Sequence, residues 1–332
     1  MMAQRLQKKL NKLRWWILSG VFLMLIAIPW IHLYQTYRAA HVYDRLAVTE
    51  KIVYIVVDQT VKIITVLRKP FFEKAAPDLD AFKGSTWTGK VFGIKLSDPL
   101  ATVGQAAASK SLVWTFLVTA SIPIVLTIFF GRFFCGWLCP ATLLYELNDN
   151  IASWLGKRRF PVARAKLNRH IKYGVLFLGL IISAAYGGII FSLFYPPLLI
   201  GREINYVIIF GSFSAGMIFI FITLLFDMFV TRRGFCRVVC PGGALYSLLG
   251  KFRILRIQRN VNSCNDCAKC NAVCQFGLDP MHDNFGMECN NCSACIQVCP
   301  EDSLLFSIRI TDVAYQGAGM KSKEAEKIVT GA

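Results

Sequence analysis

The chain has 332 residues, with 37 Lys and Arg against 20 Asp and Glu, for a formal charge of +17. Hydrophobic residues make up 55% and charged residues 17%, against about 25% charged in an ordinary soluble domain. A surface so short of charge, in a chain that is basic and carries long apolar runs, excludes a soluble nucleic-acid binder and points to a membrane protein with its positive residues on one side.

Residues 1–14 hold Arg5, Lys8, Lys9, Lys12 and Arg14 and no acid. Four runs then come close to or exceed the 20 or so apolar residues that cross a bilayer: Trp15–Tyr34, Leu112–Phe130, Ile171–Phe194 and Tyr206–Val230. They place transmembrane segments over 15–37, 112–130, 171–195 and 206–230. The first is read as a span rather than a cleaved leader, because its apolar part is long and no small-residue cleavage site precedes Ile31-His32-Leu33-Tyr34. Residues 38–111 form a loop of about 74 residues. In it Lys51, Asp58, Lys62, Thr65 and Lys69 recur at helical spacing among Ile, Val and Leu, the pattern of an amphipathic helix on the outer interface. A fifth span there would bury Asp58 and Lys62 at mid-membrane, at high cost.

Short basic segments fix the orientation. Segment 131–170 carries Arg132, Lys157, Arg158, Arg159, Arg164, Lys166 and Arg169 against Glu146 and Asp149. Segment 231–260 carries Arg232, Arg233, Arg237, Lys251, Arg253, Arg256 and Arg259, and no acid occurs before Asp266. The turn between the third and fourth runs offers Arg202 and Glu203. With four spans all basic segments share one side, so both termini are cytoplasmic.

The chain repeats itself. Phe134-Cys135-Gly136-Trp137-Leu138-Cys139-Pro140 and Phe235-Cys236-Arg237-Val238-Val239-Cys240-Pro241 each follow a span, at an offset of 101. Arg132 and Arg233 precede the motifs, and Leu144-Tyr145 and Leu245-Tyr246 follow them, at that same offset. Parallel repeats imply a pseudo-two-fold axis along the membrane normal, which would bring the motifs together at one depth. Two Cys four apart share a face if the segment is helical. Pro beside the second fits the first turn of a new helix, whose positive end favours a thiolate. Packing as small apolar residues is one reading and some other thiol chemistry a second. The third is that Cys135, Cys139, Cys236 and Cys240 converge as four soft ligands of one metal or iron–sulfur centre.

Segment 261–310 holds Cys264-x2-Cys267-x2-Cys270-x3-Cys274 and Cys289-x2-Cys292-x2-Cys295-x3-Cys299-Pro300. Each is the bacterial ferredoxin run for a [4Fe–4S] cluster, in which three cysteines wrap one cluster and the fourth reaches the other. This assigns Cys264, Cys267, Cys270 and Cys299 to a first cluster, and Cys289, Cys292, Cys295 and Cys274 to a second. Gln275 stands where the first run would usually have Pro. The two motifs and the two runs account for all 12 cysteines. The expected fold is an α-helical membrane protein of four transmembrane helices arranged as a pseudo-repeat, with a C-terminal 2x[4Fe–4S] ferredoxin-like domain and a flexible tail over 311–332.

Other polar residues say less. Of the four His (His32, His41, His170 and His282), only His32 falls within a span. No partner stands at its depth, so a b-type haem is not expected; His32 is read as an interfacial His or a hydrogen-bond partner for a quinol. Asp227 reads as a proton carrier or as the partner of Arg232 or Arg233. Glu146 reads as helix surface.

The paired CxxxCP motifs with the double ferredoxin run resemble the NapH/MauN family of polyferredoxin-like membrane proteins over roughly residues 10–305, with related cores in NosR and CcoG. The resemblance implies a bacterial inner-membrane subunit passing electrons between the quinone pool and a periplasmic redox chain. A periplasmic ferredoxin-like subunit or multihaem cytochrome would be its partner in a hetero-oligomeric quinol dehydrogenase or quinone reductase complex. Its catalytic residues are not identified by this resemblance, and nucleic acid is not an expected partner. The CcoG likeness implies an alternative, a metal-reducing or assembly factor for a respiratory enzyme; a third reading is a membrane anchor that docks a soluble redox complex.

Overall fold

The computed structural model describes residues 2–41, 43, 48–68, 89–91, 94–111, 114–157, 167–188 and 190–308; the expected tail over 311–332 lies outside them. Helix α1 runs unbroken over Met2–Ala39. Its stretch Lys9–Ala39 is, among the described residues, the one helix both long and apolar enough to cross a membrane. Helix α2 (Val48–Arg68) follows, then an antiparallel hairpin of β1 (Gly89–Val91) and β2 (Ile94–Leu96), then α3 (Pro99–Ser109). Three apolar helices of 15–17 residues come next in their places: α4 (Trp114–Phe130), α7 (Ile171–Tyr186) and α9 (Ala215–Phe229). Between and after them lie α5 (Phe133–Trp137), α6 (Pro140–Lys157), α8 (Pro196–Phe210), α10 (Gly234–Val238) and α11 (Pro241–Leu249). The C-terminal part pairs β3 (Leu255–Arg259) with β4 (Leu304–Ile308) antiparallel, and between them carries α12 (Lys269–Val273) and α13 (Ala294–Val298).

Two expected boundaries are corrected. The run Tyr206–Val230 is not one helix: α8 ends at Phe210, and Gly211 turns left-handed at φ 62°, its N–H closing on the Val207 carbonyl. The apolar average runs across this break because Phe213 sits inside it, yet Gly211-Ser212 is a local stop signal. The third helix ends at Tyr186, where Gly187 takes a φ of 69°. The break after α8 has a counterpart. Lys110 caps α3 with φ 50°, 101 positions before Gly211. The repeat therefore starts earlier than the cysteine motifs: α3-α4-α5-α6 and α8-α9-α10-α11 follow the same order.

The chain forms two compact units, one of Met1–Leu18, Ile124–Phe177 and Phe226–Ala332, the other of Ser19–Pro123 and Leu178–Leu225. All twelve cysteines belong to the first. The boundaries between the units fall inside α1, α4, α7 and α9.

In the second unit α2 runs antiparallel to the end of α1. Tyr34 Oη donates to Asp58 Oδ1 at 2.5 Å, Asp58 pairs with Lys62 at 2.5 Å, and the Tyr34 and Tyr54 rings stand 4.9 Å apart. Trp30, Leu33, Val53 and Val57 complete this small seam. Helix α2 lies within the expected loop 38–111, with one face packed on α1. Its opposite face leaves Val48, Ile52, Ile55 and Val56 exposed. Asp98 caps α3 by accepting Leu100 N–H at 2.8 Å and also accepts Tyr195 Oη at 3.0 Å. Glu203, buried on α8, accepts Ser214 Oγ at 2.5 Å across the break before α9.

Candidate functional site

Each CxxxCP segment is a short helix, a break and the start of a second helix. Cys135 lies in α5 and Cys236 in α10, each five residues long. The chain turns at Leu138 and Val239, whose N–H groups close on the Phe134 and Phe235 carbonyls, and Pro140 and Pro241 open α6 and α11. Proline suits that place because the first helical N–H has no partner to lose. The two cysteines of a motif therefore do not share one helix, as the four-residue spacing suggested. The second stands at the N-terminus of the next helix, where Cys240 Sγ accepts Gly243 N–H at 3.3 Å.

The four thiols are electrostatic neighbours. Cys139 feels Cys135 and Cys240, Cys240 feels Cys135, and Cys236 feels Cys240 and Cys139. Burial, and then these neighbours, pushes Cys139 and Cys236 up and Cys240 to about 11. Burial also raises Cys135, against the opposing pull of the Arg132 guanidinium. Such thiols are neutral near pH 7, so a metal bound by them must displace their protons.

A buried ionic frame holds the motifs. Arg132 and Arg233, at equivalent places, are each 1% exposed. Arg132 lies beside Cys135 and donates to Glu288 Oε2 at 2.5 Å. Lys172 donates to the same Glu288 oxygen and to Ser247 Oγ at 3.0 Å, and Tyr173 Oη donates to Glu288 Oε1 at 2.9 Å. Arg233 pairs with Glu146 at 3.1 Å and Asp149 at 3.7 Å. Glu146 is not helix surface: Arg14 of α1 grips both its oxygens, at 2.6 and 3.0 Å, because the basic end of α1 packs on that face of α6. Asp227 does not pair with either expected arginine, since both lie against Asp149. It accepts Phe235 N–H at 3.1 Å and so caps α10, while its Oδ2 has no hydrogen-bond partner among the described residues.

The two ferredoxin runs take one local shape, 25 positions apart. Asp266 and Ala268 in the first, and Asn291 and Ser293 in the second, have φ of 54°, 55°, 52° and 61°. Left-handed backbone costs a residue with a Cβ about 1–2 kcal/mol, and strain of this kind persists where function over-determines it. Alternating right- and left-handed residues turn successive N–H groups into one concavity, a form that holds anions and iron–sulfur clusters. Helices α12 and α13 follow, with Cys274 and Cys299 as their C-caps. Ile257, Phe285, Ile296 and Leu304 form a core with Cys289, Cys295 and Cys299. Cys270 feels Cys264 and Cys299, and Cys295 feels Cys292, Cys289 and Cys274 and then Cys270. Cys299 thus lies near Cys270 of the first run, and Cys274 near Cys289, Cys292 and Cys295 of the second. Cys267 is exposed, whereas Cys289, Cys295 and Cys299 are buried. Gln275, the departure from Pro, accepts Arg233 Nη2 at 2.7 Å and so ties the first run to the frame of the second motif.

Glu288 was not singled out in the sequence; its one signal was a carboxylate directly before a ligand-type cysteine. His41, His170 and His282 are exposed; the side chain of His32 lies outside the described residues. All twelve cysteines are free thiols. Among the described residues no three His, Cys, Asp or Glu side chains are gathered closely enough for a single ion. A cubane needs wider spacing, since each thiolate binds a different iron, and the soft donors, the N–H concavities and the apolar enclosure all fit one.

A family model described as a 4Fe-4S binding domain matches residues 112–162 and 213–260, which are the CxxxCP repeats rather than the tail runs. The chain is 33% identical over 231 residues to the ferredoxin-type protein NapH of Escherichia coli K12, covering 65% of this chain and 76% of that one. It is 31% identical over 228 residues to NapH of Haemophilus influenzae, covering 65% and 76%. It is also 31% identical over 192 residues to the methylamine utilization ferredoxin-type protein MauN of Methylobacillus flagellatus, covering 57% and 64%. No solved structure matches. On its two cysteine repeats, its ferredoxin-type tail and this extended identity, the chain belongs to the NapH/MauN family of ferredoxin-type proteins.

Proposed function

We propose that this protein is a membrane-integral iron–sulfur subunit that carries electrons between the quinone pool and a redox partner chain. The observation that carries the reading is the gathering of all twelve cysteines, as free thiols, in one compact unit, with Cys135, Cys139, Cys236 and Cys240 as electrostatic neighbours. Cys264, Cys267, Cys270 and Cys299 would hold one [4Fe–4S] cluster and Cys289, Cys292, Cys295 and Cys274 a second. Cys135, Cys139, Cys236 and Cys240 would hold a third centre; the match of a 4Fe-4S family model to their segments supports it. Each cluster supplies a site that gains or loses one electron. The chain's own residues bury Cys139, Cys240, Cys289, Cys295 and Cys299, place Arg132 beside Cys135 and Arg233 beside Cys236, and aim backbone N–H groups at the Cys240 and Cys274 sulfurs.

Membrane integration rests on the surface of α4, α7 and α9, where Phe116, Val125, Phe129, Phe177, Ile181, Phe221 and Ile222 are all exposed. Apolar surface of that extent calls for lipid or protein. With the spans in α1, α4, α7 and α9, the basic segments and both termini are cytoplasmic, in a bacterial inner membrane. A quinone would react near the inner ends of the spans, with Asp227 and its unpartnered oxygen as proton carrier. A periplasmic ferredoxin-like subunit or multihaem cytochrome would exchange electrons with it in a larger complex.

The test is iron and acid-labile sulfide per chain in anaerobically purified protein, with EPR during stepwise reduction. Ten to twelve irons, falling to eight in Cys135→Ser/Cys236→Ser together with loss of quinone-linked turnover, is the expected result. Eight irons in the unaltered protein, with defective maturation of another enzyme in the double variant, would replace this reading with an assembly role.

A further inference from the structure

The two CxxxCP motifs match in sequence but not in what they touch. After the first cysteine the first motif has Gly136, and 101 positions on the second has Arg237. A Cβ at Gly136 would stand 2.6 Å from the Asn290 carbonyl oxygen and 3.2 Å from its Nδ2. Glycine is thus what admits the second ferredoxin run against the first motif. Trp137 Nε1–H donates to the Asn291 carbonyl at 3.0 Å, and Arg132 reaches the side chain and the carbonyl of Glu288, at 2.5 and 3.3 Å. Residues 132–137 therefore touch Glu288, Asn290 and Asn291, which flank Cys289. Arg237 approaches the Cys289 set elsewhere, at its fourth cysteine rather than at the residues that flank Cys289. Its guanidinium lies against Gly277, 3.2 Å from where a Cβ there would be, and faces Cys274.

We propose that Gly136 is the positioning residue of an electron handover: the bundle centre exchanges electrons with the ferredoxin domain at the first motif, through the cluster of Cys289, Cys292, Cys295 and Cys274. The cluster of Cys264, Cys267, Cys270 and Cys299, which reaches the surface at Cys267, is then the terminal one. The step is one electron leaving a reduced centre and reducing its neighbour, with no bond made or broken. The proposal rests on the electron-transfer reading above.

Two nearby paramagnetic centres broaden each other's EPR signals, by an amount that falls steeply with distance. In protein poised so that both are paramagnetic, the signal of the second-run cluster is expected to be broadened, and to sharpen when Cys135→Ser/Cys236→Ser empties the bundle. Gly136→Ala, with its iron content unchanged, is expected to lose the broadening, since the Asn290 backbone must move away. Where Gly136→Ala loads less iron, Trp137→Phe, which removes only the N–H to Asn291, is read in its place and is expected to weaken the broadening. Full iron with unchanged broadening in the variant that is read overturns the handover. A native protein with eight irons and no bundle signal refutes the third centre itself, and the handover with it.

Discussion

Replacing Glu288 with Gln removes the carboxylate that, among the described residues, pairs with Arg132 and Lys172, while keeping the side chain's shape. The two cations are 1% and 0% exposed and Glu288 is 12% exposed, so little water can take its place. Removing one partner of a buried pair costs about 3–5 kcal/mol. Gln retains an oxygen for the Tyr173 hydroxyl, which puts the expected loss near the lower end, about 3 kcal/mol. The assay is thermal or denaturant unfolding of the detergent-purified protein at pH 7. The dependence on pH has a definite sign. Burial raises the Glu288 pKa, but Arg132 and Lys172 outweigh it and hold the group below its ordinary 4.5. The stabilisation is therefore complete above 4.5 and lost only as pH falls through the lower folded value. The gap between native protein and Glu288→Gln should not narrow from pH 7 to 5. Equal stability at pH 7, or a gap that narrows between pH 7 and 5, would refute the clamp.

Arg233→Met leaves Asp149 with Arg232 alone, at 3.6 Å, and removes the bond to Gln275. A loss of about 3–5 kcal/mol is expected, with faster proteolysis of the segment that carries the first run as the readout; unchanged cleavage would count against the frame. Gly216→Ala would put a Cβ 2.2 Å from Glu203 Oε1 and so drive the carboxylate off Ser214. The cost should be about 1–3 kcal/mol, seen as a lower midpoint of unfolding that Glu203→Gln does not share. Tyr34→Phe removes the hydroxyl shared with Asp58 and should cost about 1 kcal/mol. A cysteine pair engineered between α1 and α2 should cross-link less readily in that variant, and an unchanged yield would sink the seam.

What the sequence carried well was whatever local spacing controls. The two ferredoxin runs and the CxxxCP motifs are short, and their chemistry needs those residues at those separations. Pro140 and Pro241 were legible as helix starts because proline is restricted by its own ring. The break inside Tyr206–Val230 was hidden by hydropathy averaging, although Gly211 marked it. Glu146 and Glu288 were misread or missed, and the capping role of Asp227 was not foreseen, for a common reason. Each is a carboxylate whose environment is set by residues more than a hundred positions away, or by a turn that only the fold creates. Glu146 meets Arg14 and Glu288 meets Arg132, and no period in the sequence announces such a pairing. The hairpin of α1 and α2 was half legible: amphipathicity gave the helix, but not which apolar surface it would choose.

The difference between Gly136 and Arg237 follows from a mismatch of symmetry. The repeats α3 to α6 and α8 to α11 present the same motif twice, yet the chain has one ferredoxin domain, fused after the second repeat. A domain without two-fold symmetry cannot make the same contact with both motifs, so the residues at one position must diverge. At the first motif the Asn290 carbonyl comes within 2.6 Å of where any Cβ would be, so only glycine fits without displacing it. At the second, the same position faces the edge of the first run, where Gly277 is the residue that yields room and Arg237 fills it. Exchanging the two residues would close the first contact and leave the second unfilled. On the proposed handover, the chain's own asymmetry, rather than its repeat, would decide which cluster adjoins the bundle and which one is left at the surface beside Cys267.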